Sequence, residues 1–315
     1  EFVKGNNEFD EAVSDIFKLK DKGGRSLALR YEVTFPLKRI AKNKKLPYKR
    51  YQLGEVFRDE PISSNRFRQF TQADADIVGA EIPDEAEILA LASQALKQLG
   101  IQSIINVNNR NLLNQVLQSL DVTNKQFVLR EVDKLDKQGE DTVKANLNKF
   151  IDKLTIIKLF KLFNKPLSAF KKFPGYKEIQ ELKKYCSLYE LKINFNPSLA
   201  RGLSYYNGNV FEIKTVGKEK LSIAAGGSYL INNIPATGIS FGIERLTQLA
   251  KIKPKPTDFL IISINQDKKA IELAEKLRKA GKSCLVLDKI SKALDYANSQ
   301  NITNVIFLGK EEVKK

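Results

Sequence analysis

Five short segments hold side chains whose types and spacing could do chemistry. Arg58 in VFRDE and Arg201 in ARGLSYYNG carry permanently charged guanidinium forks that fit phosphate or carboxylate oxygens. Arg245, in GISFGIERL, falls in the first turn of a helix entered from a strand through Gly242. Helix N-termini favour anions, and an arginine there adds a full charge. In RFRQFTQADADIVG strand alternation sends Phe70, Gln72, Asp74 and Asp76 to one face, with Thr71, Ala73, Ala75 and Ile77 on the core side. A face with one ring, one amide and two carboxylates has two readings: a solvent-exposed sheet surface, or a pocket floor that stacks a ring and grips a cation or hydrogen-bond donor. Glu32 and Thr34 of LRYEVT share one side of an extended segment. Taken singly, each of these is commonplace; Arg-Gly is a frequent turn, and Tyr205–Tyr206 an ordinary sheet pair.

Composition narrows the chemistry. The sequence has no histidine, methionine or tryptophan, so a Ser-His or Cys-His nucleophile, a histidine metal site and a histidine general base are excluded. Arginine, lysine, tyrosine and carboxylates must do the work. Cys186 and Cys284 are the only cysteines. Their separation argues against a disulfide framework or zinc cluster and fits a reducing cytoplasm. With 53 basic and 37 acidic residues the net charge is +16. That balance favours polyanionic partners, although lysine-rich solubility produces it too. No apolar run approaches membrane-spanning length, and no secretory pattern opens the sequence.

The elements that must position these groups can be read coarsely. An opening helix is expected around Glu8–Phe17, then a turn at DKGGR and a short strand over Ser26–Leu29. Tyr51–Arg58 and Phe67–Val78 read as a hairpin with a long basic tip around EPISSN. Pro83–Leu99 is an amphipathic helix closed by Gly100. Residues 109–189 are mostly helical and lysine-rich. Strands return at Val210–Thr215, Leu221–Ala225 and Gly238–Phe241, the last running into a helix near Ile243. After the Pro/Lys linker KIKPKPTD, Phe259–Ile264, Asp267–Ala280, Cys284–Leu287, Ile290–Ser299 and Asn304–Leu308 spell β-α-β-α-β, expected to hold a parallel sheet.

In this order the segments resemble histidyl-tRNA synthetase, a class II aminoacyl-tRNA synthetase, in its archaeal and eukaryotic style. FRDE…RFRQF is similar to class II motif 2, GISFGIERL to motif 3, and RGLSYY to the histidine signature RGLDYY. The resemblance covers essentially the whole chain. It implies a mixed α/β (α+β) fold, with an antiparallel class II sheet flanked by helices. Residues 1–250 would form the catalytic domain, with a helical insert at about 109–189, and 251–315 a small α/β domain like the anticodon-binding domain of several class II enzymes. It also implies roles. Arg58 and Arg201 would be catalytic at the α-phosphate. Arg58, Arg66, Phe70 and Arg245 would bind ATP, with Phe70 stacking on adenine and Arg245 meeting the γ-phosphate. Glu32, Thr34 and Gln72 would hold the substrate α-amino group, Asp76 would face the imidazole N–H, and Tyr205 and Tyr206 would wall the ring. Mg²⁺ is expected with the nucleotide, its protein ligands unknown, and tRNA-His and histidine as partners. The family is homodimeric, and motif 1, which forms much of that interface, normally precedes the point where this sequence begins.

Three positions depart from the family. RGLSYY has Ser204 where the family has Asp. GGSYLIN carries Ser228 and Leu230 in place of the Arg and Asp of GGRYD, both expected beside the amino-acid pocket. The alternative readings are a catalytically impaired paralogue with a regulatory or RNA-binding role, and a class II enzyme for another amino acid. Retention of Arg58, Arg201 and Arg245 speaks for an enzyme, and the tyrosine pair with Asp76 for histidine.

Overall fold

The computed structural model describes residues 15–63, 66–201, 205–217, 220–252, 255, 257–288 and 292–311. The chain divides into two units, Glu1–Lys251 and Ile252–Lys315.

The first unit is built on a seven-stranded sheet. Its strands are β3 (Tyr48–Phe57), β4 (Gln69–Val78), β5 (Ser103–Asn109), β6 (Ile193–Phe195), β7 (Asn209–Thr215), β8 (Ser222–Ile231) and β9 (Ile234–Gly242). They lie in the order β3-β4-β9-β8-β7-β5-β6, antiparallel throughout except for the β5–β6 pair at one edge. Two short strands, β1 (Lys18–Lys20) and β2 (Ser26–Ala28), form a separate antiparallel ribbon. Of the helix expected at the start, residues up to 14 lie outside the described residues, and Asp15–Phe17 are not helical.

One face of the sheet is covered by helices. A helix over Ile82–Gln98 opens with a reciprocal capping box, in which the Glu81 amide donates to Asp84 Oδ2 at 2.8 Å, satisfying donors that a helix start leaves over. Its buried Ile88, Leu89, Ala92 and Leu96 recur at three- and four-residue spacing, the stripe that faces a core. They pack with Ala75 and Ile77 of β4, Ile239 and Phe241 of β9, and Phe211 and Ile213 of β7. Each fully buried leucine or phenylalanine there is worth about 1.5–3 kcal/mol. Helices between Arg110 and Leu188 continue this core. Thus Ala73, Ala75 and Ile77 do face the core, as alternation requires. The opposite face of β4 is buried too, and the exposed-surface reading fails: Gln72, Asp74 and Asp76 are 7%, 5% and 3% exposed.

The second unit is a three-stranded parallel sheet, β10 (Phe259–Ser263) between β11 (Cys284–Leu287) and β12 (Asn304–Leu308). Leu260 and Ile262 pack against the helix Ala293–Ser299, and Ile261 against Asp267–Lys279, so the two helices cover opposite faces. Part of the helix expected at Ile290 lies outside the described residues. Among the described residues no helix is long and apolar enough to cross a membrane.

Candidate functional site

The uncovered face of the sheet is the floor of a cavity of about 450 Å³. Antiparallel register sets side chains in transverse rows. In one row, Gln52 of β3, Asp74 of β4, Ser240 of β9, Ala225 of β8 and Glu212 of β7 are successive partners. In the next, Arg50, Asp76, Gly238, Gly227 and Val210 follow one another. Gly238 is required there: a Cβ would stand 2.2 Å from Asp76 Oδ1. Gly227, at φ +156°, would press a Cβ onto Asn209 O at 2.6 Å and Tyr206 Cδ1 at 2.9 Å. Missing side chains in this row leave the hollow above the carboxylates.

Asp76 is firmly held. Arg50 Nε and Nη2 both lie 3.0 Å from its Oδ2, and the Tyr229 hydroxyl donates to Oδ1 at 2.5 Å. Arg50 is itself fixed by Gln52 Oε1 at 2.5 Å and Val33 O at 2.9 Å. Burial raises the Asp76 pKa, while Arg50 and Tyr229 pull it down. Asp74, one row away, is pushed up to about 7, first by burial and then by the charge of Asp76.

Four arginines line the same cavity. Arg58 lies over the rings of Tyr31 and Phe70, 4.3 and 5.1 Å from their centroids. Arg66 pairs with Glu60 at 3.1 Å. Arg245 donates from Nη1 to Ser222 O at 2.7 Å. Its pKa is lowered by burial and then by the charges of Arg66 and Arg58, so these three cations share one field. Arg201 follows a segment tied to the end of β5: Asn108 Nδ2 donates to Pro197 O at 3.1 Å and Leu199 O at 3.0 Å, and Arg110 Nη1 to Ala200 O at 2.9 Å. Arg201 has φ +59°, a left-handed conformation that a side chain adopts only where surroundings enforce it. Its Nε is buried without a hydrogen-bond partner among the described residues, and Nη1 is 3.8 Å from Glu212 Oε1. Glu212 also binds Lys214 Nζ at 3.2 Å, and Lys214 pairs with Asp136 of the helical insert.

Tyr205, Tyr206 and Tyr229 make an aromatic wall, with the Tyr205 ring centroid 4.8 Å from Tyr206 and 5.6 Å from Tyr229. The Tyr205 hydroxyl donates to Glu32 Oε2 at 3.1 Å. Thr34 lines the cavity close by. Glu32, Thr34, Arg58, Arg66, Phe70, Gln72, Asp76, Arg201, Tyr205, Tyr206 and Arg245 therefore all border one hollow. Gly202, Leu203 and Ser204 lie outside the described residues.

Some of what surrounds the cavity was not foreseen. Arg50, Tyr229, Ser240 and Glu212 depend on cross-strand register, and the insert adds Asp133 and Asp136, although its charge reads as a solvated face. Ser228 and Leu230 correct an expectation: neither borders the cavity. Both flank Tyr229 on β8, so alternation turns them to the other face. Ser228 Oγ donates to Glu85 Oε1 at 2.5 Å behind the sheet, and Leu230 is exposed. Among the described residues no three His, Cys, Asp or Glu side chains are grouped to hold a metal ion.

A hollow with cations at one end, carboxylates and tyrosines at the other, and acceptors along its floor suits a polyphosphate beside a small cationic or N–H-bearing molecule. Comparison with known proteins agrees. A family model described as histidyl-tRNA synthetase matches residues 2–246. Histidine–tRNA ligase 1 of Bacillus cereus is 36% identical, over 96% of this chain and 80% of its own length. Histidine–tRNA ligase 2 of Shouchella clausii is also 36% identical, again over 96% of this chain and 80% of its own length. The crystal structure of histidyl-tRNA synthetase from Nostoc sp. PCC 7120 superposes with a TM-score of 0.79 at 25% identity, covering 95% of this chain and 80% of that one. Motifs, sheet and relatives converge: the chain belongs to the histidyl-tRNA synthetase family.

Proposed function

We propose that the protein is a histidine–tRNA ligase, activating histidine with ATP and transferring it to tRNA-His. The observation that carries this is the convergence of motif residues from separate segments on one cavity, with arginines and carboxylates at distinct places around it.

Activation needs no histidine side chain on the enzyme. The substrate carboxylate attacks the α-phosphorus, the bond to the β-phosphate oxygen breaks, and pyrophosphate leaves, giving histidyl-adenylate. Catalysis then consists of alignment and charge stabilisation at a crowded phosphoryl centre. Arg58 and Arg201 serve the α-phosphate and the attacking carboxylate, and the unpartnered Nε of Arg201 is a donor in reserve. Phe70 stacks on adenine, Arg245 takes the γ-phosphate, and Arg66 supports the triphosphate. Gln72, Glu32 and Thr34 hold the α-amino group, while Asp76, Tyr205 and Tyr206 enclose the ring. In the second step a 3′-terminal ribose hydroxyl attacks the adenylate carbonyl, and AMP departs.

Mg²⁺ keeps most of its waters and binds through substrate phosphates with one or two carboxylates. The cavity fits that mode. Glu244 Oε2 is buried without a hydrogen-bond partner among the described residues, and Glu212 stands on the arginine side, so these two would hold the ion and help it neutralise phosphate charge. The unit Ile252–Lys315 is read as the anticodon-binding domain, its lysines meeting tRNA phosphates. A homodimer working in the cytoplasm completes the proposal. Charging of tRNA-His with labelled histidine tests it; tRNA binding without charging would favour the impaired paralogue.

A further inference from the structure

Gln72 Oε1, Asp74 Oδ1 and Ser240 Oγ are buried without hydrogen-bond partners among the described residues, and all three residues border the cavity. Buried polar groups are almost always paired, and an exception in a hollow calls for a ligand to meet it. Asp74 stands directly opposite Ser240 in the β4–β9 register. Asp76 differs, since Arg50 takes its Oδ2 and Tyr229 its Oδ1. Along a strand each residue adds about 3.3 Å. Asp74 is therefore the nearer of the two carboxylates to a ligand whose ammonium is held at Gln72.

We propose that Asp74, with Ser240 beside it, is a second specificity-determining residue, binding the substrate imidazole at the ring nitrogen that Asp76 does not take. This rests on the reading of the cavity as a histidine site. A neutral imidazole donates from one nitrogen and accepts at the other; an imidazolium donates from both. Asp76, paired with Arg50, supplies the fixed negative charge for one N–H. Asp74 meets the other nitrogen in either of two forms with the same proton count. A protonated carboxyl donates to the neutral ring, or a carboxylate accepts from the imidazolium. Because burial and Asp76 push Asp74 to about 7, near the ordinary imidazole value of about 6.5, one proton serves both partners. The groups facing Asp74 are Asp76 on its own strand, Arg50 on β3, Arg58 beyond the end of β3, Ser240 on β9, and Tyr206 in the wall.

Histidine-dependent ATP–pyrophosphate exchange on wild type and Asp74→Asn decides the matter. Asparagine keeps the volume but cannot trade a proton. KM for histidine should rise about 10- to 100-fold, with kcat and KM for ATP nearly unchanged, and the pH dependence of kcat/KM near 7 should be lost. Ser240→Ala should raise KM less. Thermal unfolding of the same samples separates a structural role, because Asp74→Asn removes a like-charged neighbour of Asp76 and should unfold no earlier than wild type. Unaltered KM and pH profile would overturn the proposal, as would earlier unfolding with kcat and both KM values degraded together. Absence of histidine-dependent exchange in wild type would sink the histidine reading itself, and the assignment of Asp74 with it.

Discussion

Arg50 grips Asp76 from the neighbouring strand, two of its nitrogens 3.0 Å from one carboxylate oxygen, with the side chains only 7% and 3% exposed. A buried pair of this kind is costly to break from one side, because the survivor is left as an uncompensated charge. Arg50→Met should cost about 3–5 kcal/mol of folding stability, read as a shift in denaturant midpoint. A loss below about 1 kcal/mol, the level of a surface ion pair, would mean that the two groups are not coupled in this way.

Asp74 gives a pH signature with a definite sign. Its folded pKa, about 7, lies above the unfolded value of about 3.9, so between those limits the unfolded chain binds fewer protons. Stability from this group therefore falls as pH rises from about 4 to about 7 and levels off beyond. Glu85, raised to about 7 chiefly by burial, acts in the same direction. Asp74→Asn should match wild type near pH 4 and exceed it by an amount on the order of a few kcal/mol near pH 7. Unfolding curves across that range check it; a constant difference would be contrary.

Arg201→Ala should slow adenylate formation by roughly 10²–10³ in kcat, the usual loss on removing one preorganised donor from a developing charge. Single-turnover formation of histidyl-adenylate measures this without interference from product release. A change below tenfold would remove Arg201 from the reaction centre.

Glu212 stands between Arg201, at 3.8 Å, and Lys214, at 3.2 Å. With Lys214→Ala the carboxylate loses its nearer partner and competes for Arg201, so kcat should fall several-fold, about 1 kcal/mol in activation. Asp136→Ala, which removes only the exposed partner of Lys214, should cost at most about 1 kcal/mol in stability and leave exchange kinetics close to wild type. Equal kinetic losses in both variants would show the insert, rather than Glu212, to be in control.

Leu230→Asp restores the residue of the family signature on the face away from the cavity. It should change stability by no more than about 0.5 kcal/mol and leave KM for histidine unaltered. A marked change in KM would place this position in the pocket after all.

What could be read in advance follows from the range of the interactions. β4 declared itself because alternation is local: Phe70, Gln72, Asp74 and Asp76 share a face whatever lies next to it. The C-terminal β-α-β-α-β unit was equally plain, its periods changing cleanly between two and three-to-four. β5 escaped, since its Ile105 and Val107 alternate with asparagines that look like loop residues until Asn108 is seen holding the Arg201 segment. β6 is only three residues long. Arg50 could not be matched to Asp76 without the β3–β4 register, nor Lys214 to Asp136 without knowing where the insert returns to the sheet. The substitutions at Ser228 and Leu230 seemed to threaten the pocket because motif spacing ignores which face a strand residue takes.

The central claim is that this cavity joins histidine to ATP. ATP–pyrophosphate exchange on the purified 315-residue chain, run with each of the standard amino acids in turn, tests it most directly. The account predicts exchange with histidine and with no other. Exchange driven by a different amino acid, or binding of ATP and histidine without any exchange, would contradict it.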